Sequence, residues 1–201
     1  MNDTHHRRSI RLKGYDYSQA GLYFVTMCCQ DKICRFGKIE KGEMILNESG
    51  QIAYDEWVML PERYSHVTLD VFQIMPNHIH GIIALNVTVV VGATLAVAQN
   101  AVAPNNGMNI ADGGATANGT MTANRATASV APTIGNMVGV YKSLVMNKCL
   151  EIYKSKNECM GKLWQRNYYE HIIRNEQSYQ NISNYIINNP ANWKDDTFYG
   201  T

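Results

Sequence analysis

The stretch Val67-Thr68-Leu69-Asp70-Val71-Phe72-Gln73-Ile74-Met75-Pro76-Asn77-His78-Ile79-His80-Gly81-Ile82-Ile83-Ala84-Leu85 holds two runs of β-forming residues on either side of a Pro-Asn pair. Residues 67–75 alternate in polarity and predict one strand. His78–Leu85 predicts the next, with Pro76 and Asn77 as the turn between them. Side chains alternate across a strand, so His78 and His80 leave the same face while Ile79 points to the other. Adjacent imidazoles on one face can chelate a cation. They can also be packed or surface histidines, because His-x-His arises by chance. The turn before the pair and Gly81-Ile82-Ile83 after it set the pair at the start of a central strand, where a site is held rigidly.

Outward from this hairpin the chain alternates between the two periodicities. Residues 21–30 (GLYFVTMCCQ) predict a buried strand, and residues 34–46 a hairpin turning around Glu40 to Glu43. Asn47-Glu48-Ser49 predicts the cap of a helix that carries Ile52, Trp57 and Val58 and ends near Pro61. Residues 133–154 place Ile134, Met137, Val138, Tyr141, Leu144, Val145 and Leu150 at helical spacing. Residues 163–173 are rich in aromatics and contain a short strand. Residues 175–189 carry Tyr179, Ile182 and Ile186 on one stripe and stop at Pro190, which predicts a last helix. The order predicts an α+β, ferredoxin-like sandwich: an antiparallel sheet with helices on one face.

Composition divides the chain. Its 201 residues carry 18 basic and 17 acidic side chains, a net charge of +1, so any nucleic-acid binding must come from a local patch. The 47 residues 86–132 hold only Asp112 and Arg125 as charges, none of the 19 aromatics, and 12 alanines. Such a segment lacks the large side chains that offset ordering entropy. It predicts a flexible low-complexity insertion within a single domain spanning 1–201, with a short strand extension at residues 87–91. Five scattered cysteines without a CxxC pair argue against a disulfide framework or a cysteine zinc site. No apolar run approaches the roughly 20 residues that span a bilayer. The polar, basic start MNDTHHRRSIRLKG has no apolar core behind it. A cytoplasmic protein without membrane association is expected.

Two histidines do not close a divalent-metal site; at least one more protein ligand is needed. The last helix offers Tyr185 and Asn189, four residues apart and so on one face. A tyrosine beside a metal-bound phosphate is a suitable nucleophile, since its phenolate forms a covalent ester, although its pKa of about 10 requires help in removing the proton. Tyr179 lies six residues before Tyr185. At about 100° per residue the two point roughly 120° apart. Tyr179 falls on the apolar stripe, and Tyr185 with Asn189 beside the polar positions Asn181 and Asn188.

The segment MPNHIHGII resembles the HUH motif (His, hydrophobic, His) of single-tyrosine transposases of the insertion-sequence-200-like superfamily. The later block LWQRNYYEHIIRNEQSYQNISNYIINNP resembles one branch, the REP-associated tyrosine transposases. Trp164, Gln165, Tyr168, Glu170, His171, Ile173, Arg174 and Asn175 match its first part, and Tyr185, Ile186, Asn189 and Pro190 its second. The resemblance covers most of the chain outside residues 86–132. It implies that Tyr185 is the nucleophile, that His78, His80 and Asn189 hold a divalent metal, Mg2+ or Mn2+, and that the substrate is single-stranded DNA beside a palindromic hairpin. Cleavage would leave a 5′-phosphotyrosine link and a free 3′-OH, and reversal with another 3′-OH would join strands. The branch also implies a monomer rather than a dimer. A silent hairpin-binding protein and a metal-dependent nuclease using water are the alternatives.

Arg7, Arg8, Arg11 and Lys13 form the densest basic cluster, fit for a hairpin or backbone phosphate or equally for a solvated tail. Trp164 and Tyr168, interleaved with Arg166 and followed by Tyr169, suit either base stacking or the core. Arg174 and His171 are further candidates near the site. No Walker motif or GxSxG is present, so NTP hydrolysis and serine chemistry have no support.

Overall fold

The computed structural model describes residues 14–86 and 132–199. In chain order these form β1 (Gly21–Cys28), β2 (Gly37–Glu40), β3 (Glu43–Leu46), α1 (Glu48–Val58), α2 (Leu60–Arg63), β4 (Val67–Ile74), β5 (His78–Leu85), α3 (Ile134–Ser155), β6 (Tyr169–Ile173) and α4 (Glu176–Asn188). The basic cluster Arg7, Arg8, Arg11 and Lys13 lies outside the described residues, as does the expected strand extension at 87–91.

β4, β5, β1 and β6 lie side by side in that order, every neighbouring pair antiparallel. This is the ferredoxin-like arrangement, with β2 and β3 added as a hairpin between β1 and α1. Lys41 and Gly42, both at positive φ (52° and 82°), make its two-residue turn, the conformation that matches strand twist.

Local chemistry explains the boundaries. Asn47 caps α1 by accepting the Gly50 N–H at 2.9 Å, Thr133 caps α3, and Asn175 caps α4 by accepting the Ser178 N–H at 2.8 Å. α1 ends at Val58, near Pro61 as expected; Pro61 itself sits in the first turn of the short α2, where its missing N–H costs nothing. Within residues 163–173 the strand occupies only Tyr169–Ile173, while Trp164 forms a single bridge with Cys29.

The two sheet faces are covered differently. On one, Tyr23, Val25, Met27, Ile79 and Ile83 meet Ala53 and Trp57 of α1 and Met137, Tyr141 and Val145 of α3. The Tyr141 hydroxyl donates to the Ala53 carbonyl at 2.7 Å and ties the two helices together. Gly81 is needed here, since a Cβ would stand 2.3 Å from the Trp57 ring. The other face carries a smaller cluster of Ile82, Ile173 and Ile186 with Leu22, Phe24, Tyr179 and Ile182. Helices on one face therefore describes α1 and α3 only; α4 lies against the opposite face. The apolar stripe of α4 and the Tyr179 hydroxyl, which donates to Asp70 at 3.0 Å beside an irregularity in β4, fix how that helix sits.

Candidate active site

The face that α4 covers also bears the histidines. In β5, His78 and His80 are exposed by 1% or less, and their backbone partners on β1 are Cys28 and Thr26. Burial disfavours the charged imidazole, so His78 is pushed down to about 3, with Lys32 adding to the effect. His80 is likewise held well below its ordinary value by burial and then by His78, with Asp196 opposing. Both rings are neutral at physiological pH.

The tautomer of His78 follows from its neighbours. Asn77 spends both amide N–H groups on backbone carbonyls, Lys32 at 3.0 Å and Phe198 at 2.8 Å. Its Oδ1 therefore faces the His78 Nδ1 at 2.8 Å as an acceptor, and Nδ1 must carry the proton. The Nε2 lone pair of His78 is left buried and without a partner. His80 is oriented by Thr26, whose hydroxyl lies 2.8 Å from Nδ1. Its Nε2 is 3.0 Å from the Tyr185 hydroxyl. This is the outer support that metal-binding histidines use to fix ring orientation.

Tyr185 stands on α4 with its ring edge-on to Phe24 and His80. Its hydroxyl donates to Asp196 Oδ2 at 3.0 Å. Burial and the Asp196 charge hold the phenol above its ordinary pKa. Asn189, 2% exposed, donates through Nδ2 to the same carboxylate. The Phe198 N–H donates to Asp196 Oδ1 at 2.6 Å. His78, His80 and Asp196 bring one ligand atom each to within 4.8 Å of one another.

These residues suit a divalent cation. His78 Nε2 and Asn189 Oδ1 are both buried electron-pair donors with no hydrogen-bond partner. Leaving such a group unsatisfied costs about 1–3 kcal/mol, which a bound cation removes. Two imidazoles, a carboxylate and an amide oxygen form a mixed set compatible with manganese or magnesium.

The structure thus brings together His78, His80, Tyr185 and Asn189. Of the stacking candidates, only Tyr169 comes near: half exposed, it pairs in the sheet with Thr26, the partner of His80, and its ring lies 6.3 Å from that of Phe198. Trp164 is 8% exposed, lies in the core against Phe36, and donates its indole N–H to the Lys142 carbonyl at 3.0 Å. Its ring is not a free stacking surface. Tyr168 is half-buried and hydrogen-bonded to Glu170. Arg166 and Arg174 are exposed. Arg174 and the exposed His171 line a separate cavity of about 450 Å³ with Tyr17 and Ser178.

Asp196 is the member that sequence reasoning missed. It follows a 3-10 turn at Trp193–Asp195 that carries the chain back over His78. The one signal was an acidic Asp195-Asp196 pair six and seven residues past Asn189, in a stretch otherwise without motif.

No protein-family model matches the chain. The fold is similar to that of a REP-associated tyrosine transposase whose structure was solved bound to a REP hairpin. The TM-score is 0.50 and the identity 15%, over 89% of this chain and 72% of that one. In sequence, the chain is 39% identical over 195 residues to an uncharacterized protein of Haemophilus influenzae, covering 97% of this chain and 94% of that one. The chain belongs to the same family as that Haemophilus influenzae protein.

Proposed function

We propose that the protein is a metal-dependent transposase-type endonuclease that cuts and rejoins single-stranded DNA beside palindromic hairpins through Tyr185. One observation carries the reading: a tyrosine hydroxyl 3.0 Å from the Nε2 of a buried histidine whose partner, His78, keeps a naked lone pair in the same cluster. The motifs around His78 and Tyr185 and the shared fold support it. His78 Nε2, His80 Nε2, Asp196 and Asn189 Oδ1 are the donors that would hold the ion. Bound there, Mg2+ or Mn2+ supplies positive charge to the non-bridging oxygens of the scissile phosphate.

The chain's own residues do the rest. Phe24 and His80 hold the phenol ring over the site. Asp196 Oδ2 accepts the phenol proton. A carboxylate is far too weak a base to generate a free phenolate, so the proton leaves as the new bond forms. The tyrosine oxygen bonds to phosphorus, the bond to the 3′ oxygen breaks, and that oxygen takes up a proton as the 3′-OH. The 5′ end stays on Tyr185 as a phosphodiester, which a second 3′-OH can attack without an external energy source.

The test is incubation with labelled hairpin DNA carrying randomised single-stranded flanks, with Mn2+, followed by a denaturing gel. A covalent protein–DNA band is expected. Cleavage without a band would select a water-using nuclease, and binding alone a silent hairpin-binding module. The chain acts as one monomeric domain in this reading, with 86–132 as an insertion between β5 and α3. Replacing 86–132 by a short Gly/Ser linker should preserve cooperative unfolding and the band, since loop length enters entropy only slowly.

A further inference from the structure

Two clefts flank the C-terminal segment, and their linings differ in charge. One, of about 700 Å³, is bordered by Lys38, Lys41 and Lys194, against the single carboxylate of Asp195 that both clefts share, with the aromatic rings of Trp193 and Tyr199. The other, of about 320 Å³, opens beside Tyr185 and is lined by Asn184, Asn188, Asn192, Asp195 and Asp196, with Asn189 at its buried end. Among the described residues, no lysine or arginine borders this second cleft. At the small end of the 300–1,000 Å³ range typical of ligand sites, it suits a single planar group rather than a helix of DNA.

Asn184, Asn188, Asn192 and Asp195 of its lining keep polar atoms available. Among the described residues, no hydrogen bond or ion pair engages the side chains of Asn184, Asn192 or Asp195. Asn188 uses only its Nδ2, on the Asn184 carbonyl at 2.8 Å. Asn184 and Asn188 are one helical turn apart on α4 and so project together. Away from the metal cluster the carboxylate of Asp195 repels a phosphate, so beyond the phosphate that Tyr185 attacks this cleft disfavours the DNA backbone. Carboxamides instead present the paired donor and acceptor that matches a base edge, and carboxylates accept from an exocyclic amino group.

We propose that this cleft reads a base: it seats one of the two nucleotides flanking the phosphate that Tyr185 attacks and selects one that carries an exocyclic amino group. The inference rests on the endonuclease reading above and adds to it a source of sequence choice in the protein itself. Tyr185 is shared by the cleft and the metal cluster. A base held by Asn184, Asn188 and Asp195 therefore brings its own phosphate to the nucleophile, while the basic cleft takes the backbone beyond.

The experiment sequences both products of covalent capture, the strand attached to protein and the strand released, from hairpin DNA with randomised flanks. Wild-type protein should favour amino-bearing bases over thymine at one position next to the cut. The preference should be about fivefold or more, the lower end of what one bidentate amide–base contact supplies. The Asn184→Ala/Asn188→Ala protein should lose that preference and keep those at other positions. On DNA with an abasic site at that position, it should form adduct at the wild-type rate. That rate also shows that the variant is folded. An unchanged preference in the variant, or wild-type adduct formed equally on all four bases and the abasic site, overturns the inference and leaves the transposase reading standing. No adduct on any substrate defeats that reading, and the inference with it.

Discussion

Ile79 and Ile83 on one face of β5 are as buried as His78 and His80 on the other, all at 1% exposure or less. The face covered by α1 and α3 encloses apolar groups, with Trp57 and Tyr141 edge to face at 5.4 Å. The opposite face buries two imidazoles, a threonine hydroxyl, two carboxamides and part of a carboxylate. Its hydrogen bonds leave His78 Nε2 and Asn189 Oδ1 unpaired. One strand thus serves two ends: the apolar side holds the sheet together, and the polar side keeps donors desolvated at a cost in stability. Substitutions on one face should move stability, and those on the other chemistry.

The largest effect expected is on chemistry. Tyr185→Phe removes one hydroxyl from a ring that Phe24 and His80 still hold, so the fold should persist. Covalent adduct should fall by about 10⁴-fold or more, the scale at which loss of a nucleophile acts, read on a denaturing gel. A persisting adduct would move the nucleophile to Tyr168 or Tyr169.

Next comes the pH response of metal-free protein, which measures what the polar face costs. His78 is lowered from 6.5 to about 3 in the folded state and His80 is lowered too. The unfolded chain therefore binds more protons than the folded one below pH 6.5. Stability is fully present above that value and is lost as pH falls towards 3, by about 1.4 kcal/mol per pH unit for each histidine at the steepest. Denaturant titrations in a chelator should show this slope. It should shrink in a His78→Gln protein; an equal slope there would mean that other groups carry it.

The apolar face is tested by Gly81→Ala. The added methyl points at the Trp57 ring, not at the site. Overpacking of this kind costs about 1–3 kcal/mol. A lower midpoint in urea with the adduct rate unchanged at low temperature would sharpen the contrast. A loss of adduct without loss of stability would break it.

Much of this contrast could be read from the chain, because it depends on local periodicity. The boundaries of β5, the common face of His78 and His80, and the divergence of Tyr179 from Tyr185 all follow from periods of two and 3.6 residues. Three features did not follow. The stripe Tyr179, Ile182 and Ile186 says that α4 has an apolar face but not which side of the sheet receives it; that depends on Ile82, Ile173 and Asp70, far away in sequence. An aromatic such as Trp164 reads the same in a core as on a DNA-binding surface, and its contact with Phe36 decides the matter. Asp196 reaches Tyr185 only because Phe198 and Trp193 pack on His78. No periodicity encodes that fold-back of the C-terminal segment.

The smallest effect tests whether position on α4, rather than the phenol itself, makes the nucleophile. Tyr179 donates to Asp70 Oδ2 at 3.0 Å, and this bond raises its pKa without bringing it near the histidines. Its ring packs with Ile82, Ile173 and Ile186. Tyr179→Phe keeps that packing and deletes one half-exposed hydrogen bond, worth about 0.5–1.5 kcal/mol. The urea midpoint should fall slightly and the adduct rate should stay within about twofold of wild type. If instead the adduct collapsed while stability held, the Tyr179–Asp70 tether would be setting the approach of Tyr185 to His80. The division between the two faces would then extend along the whole of α4 rather than stopping at its last turns.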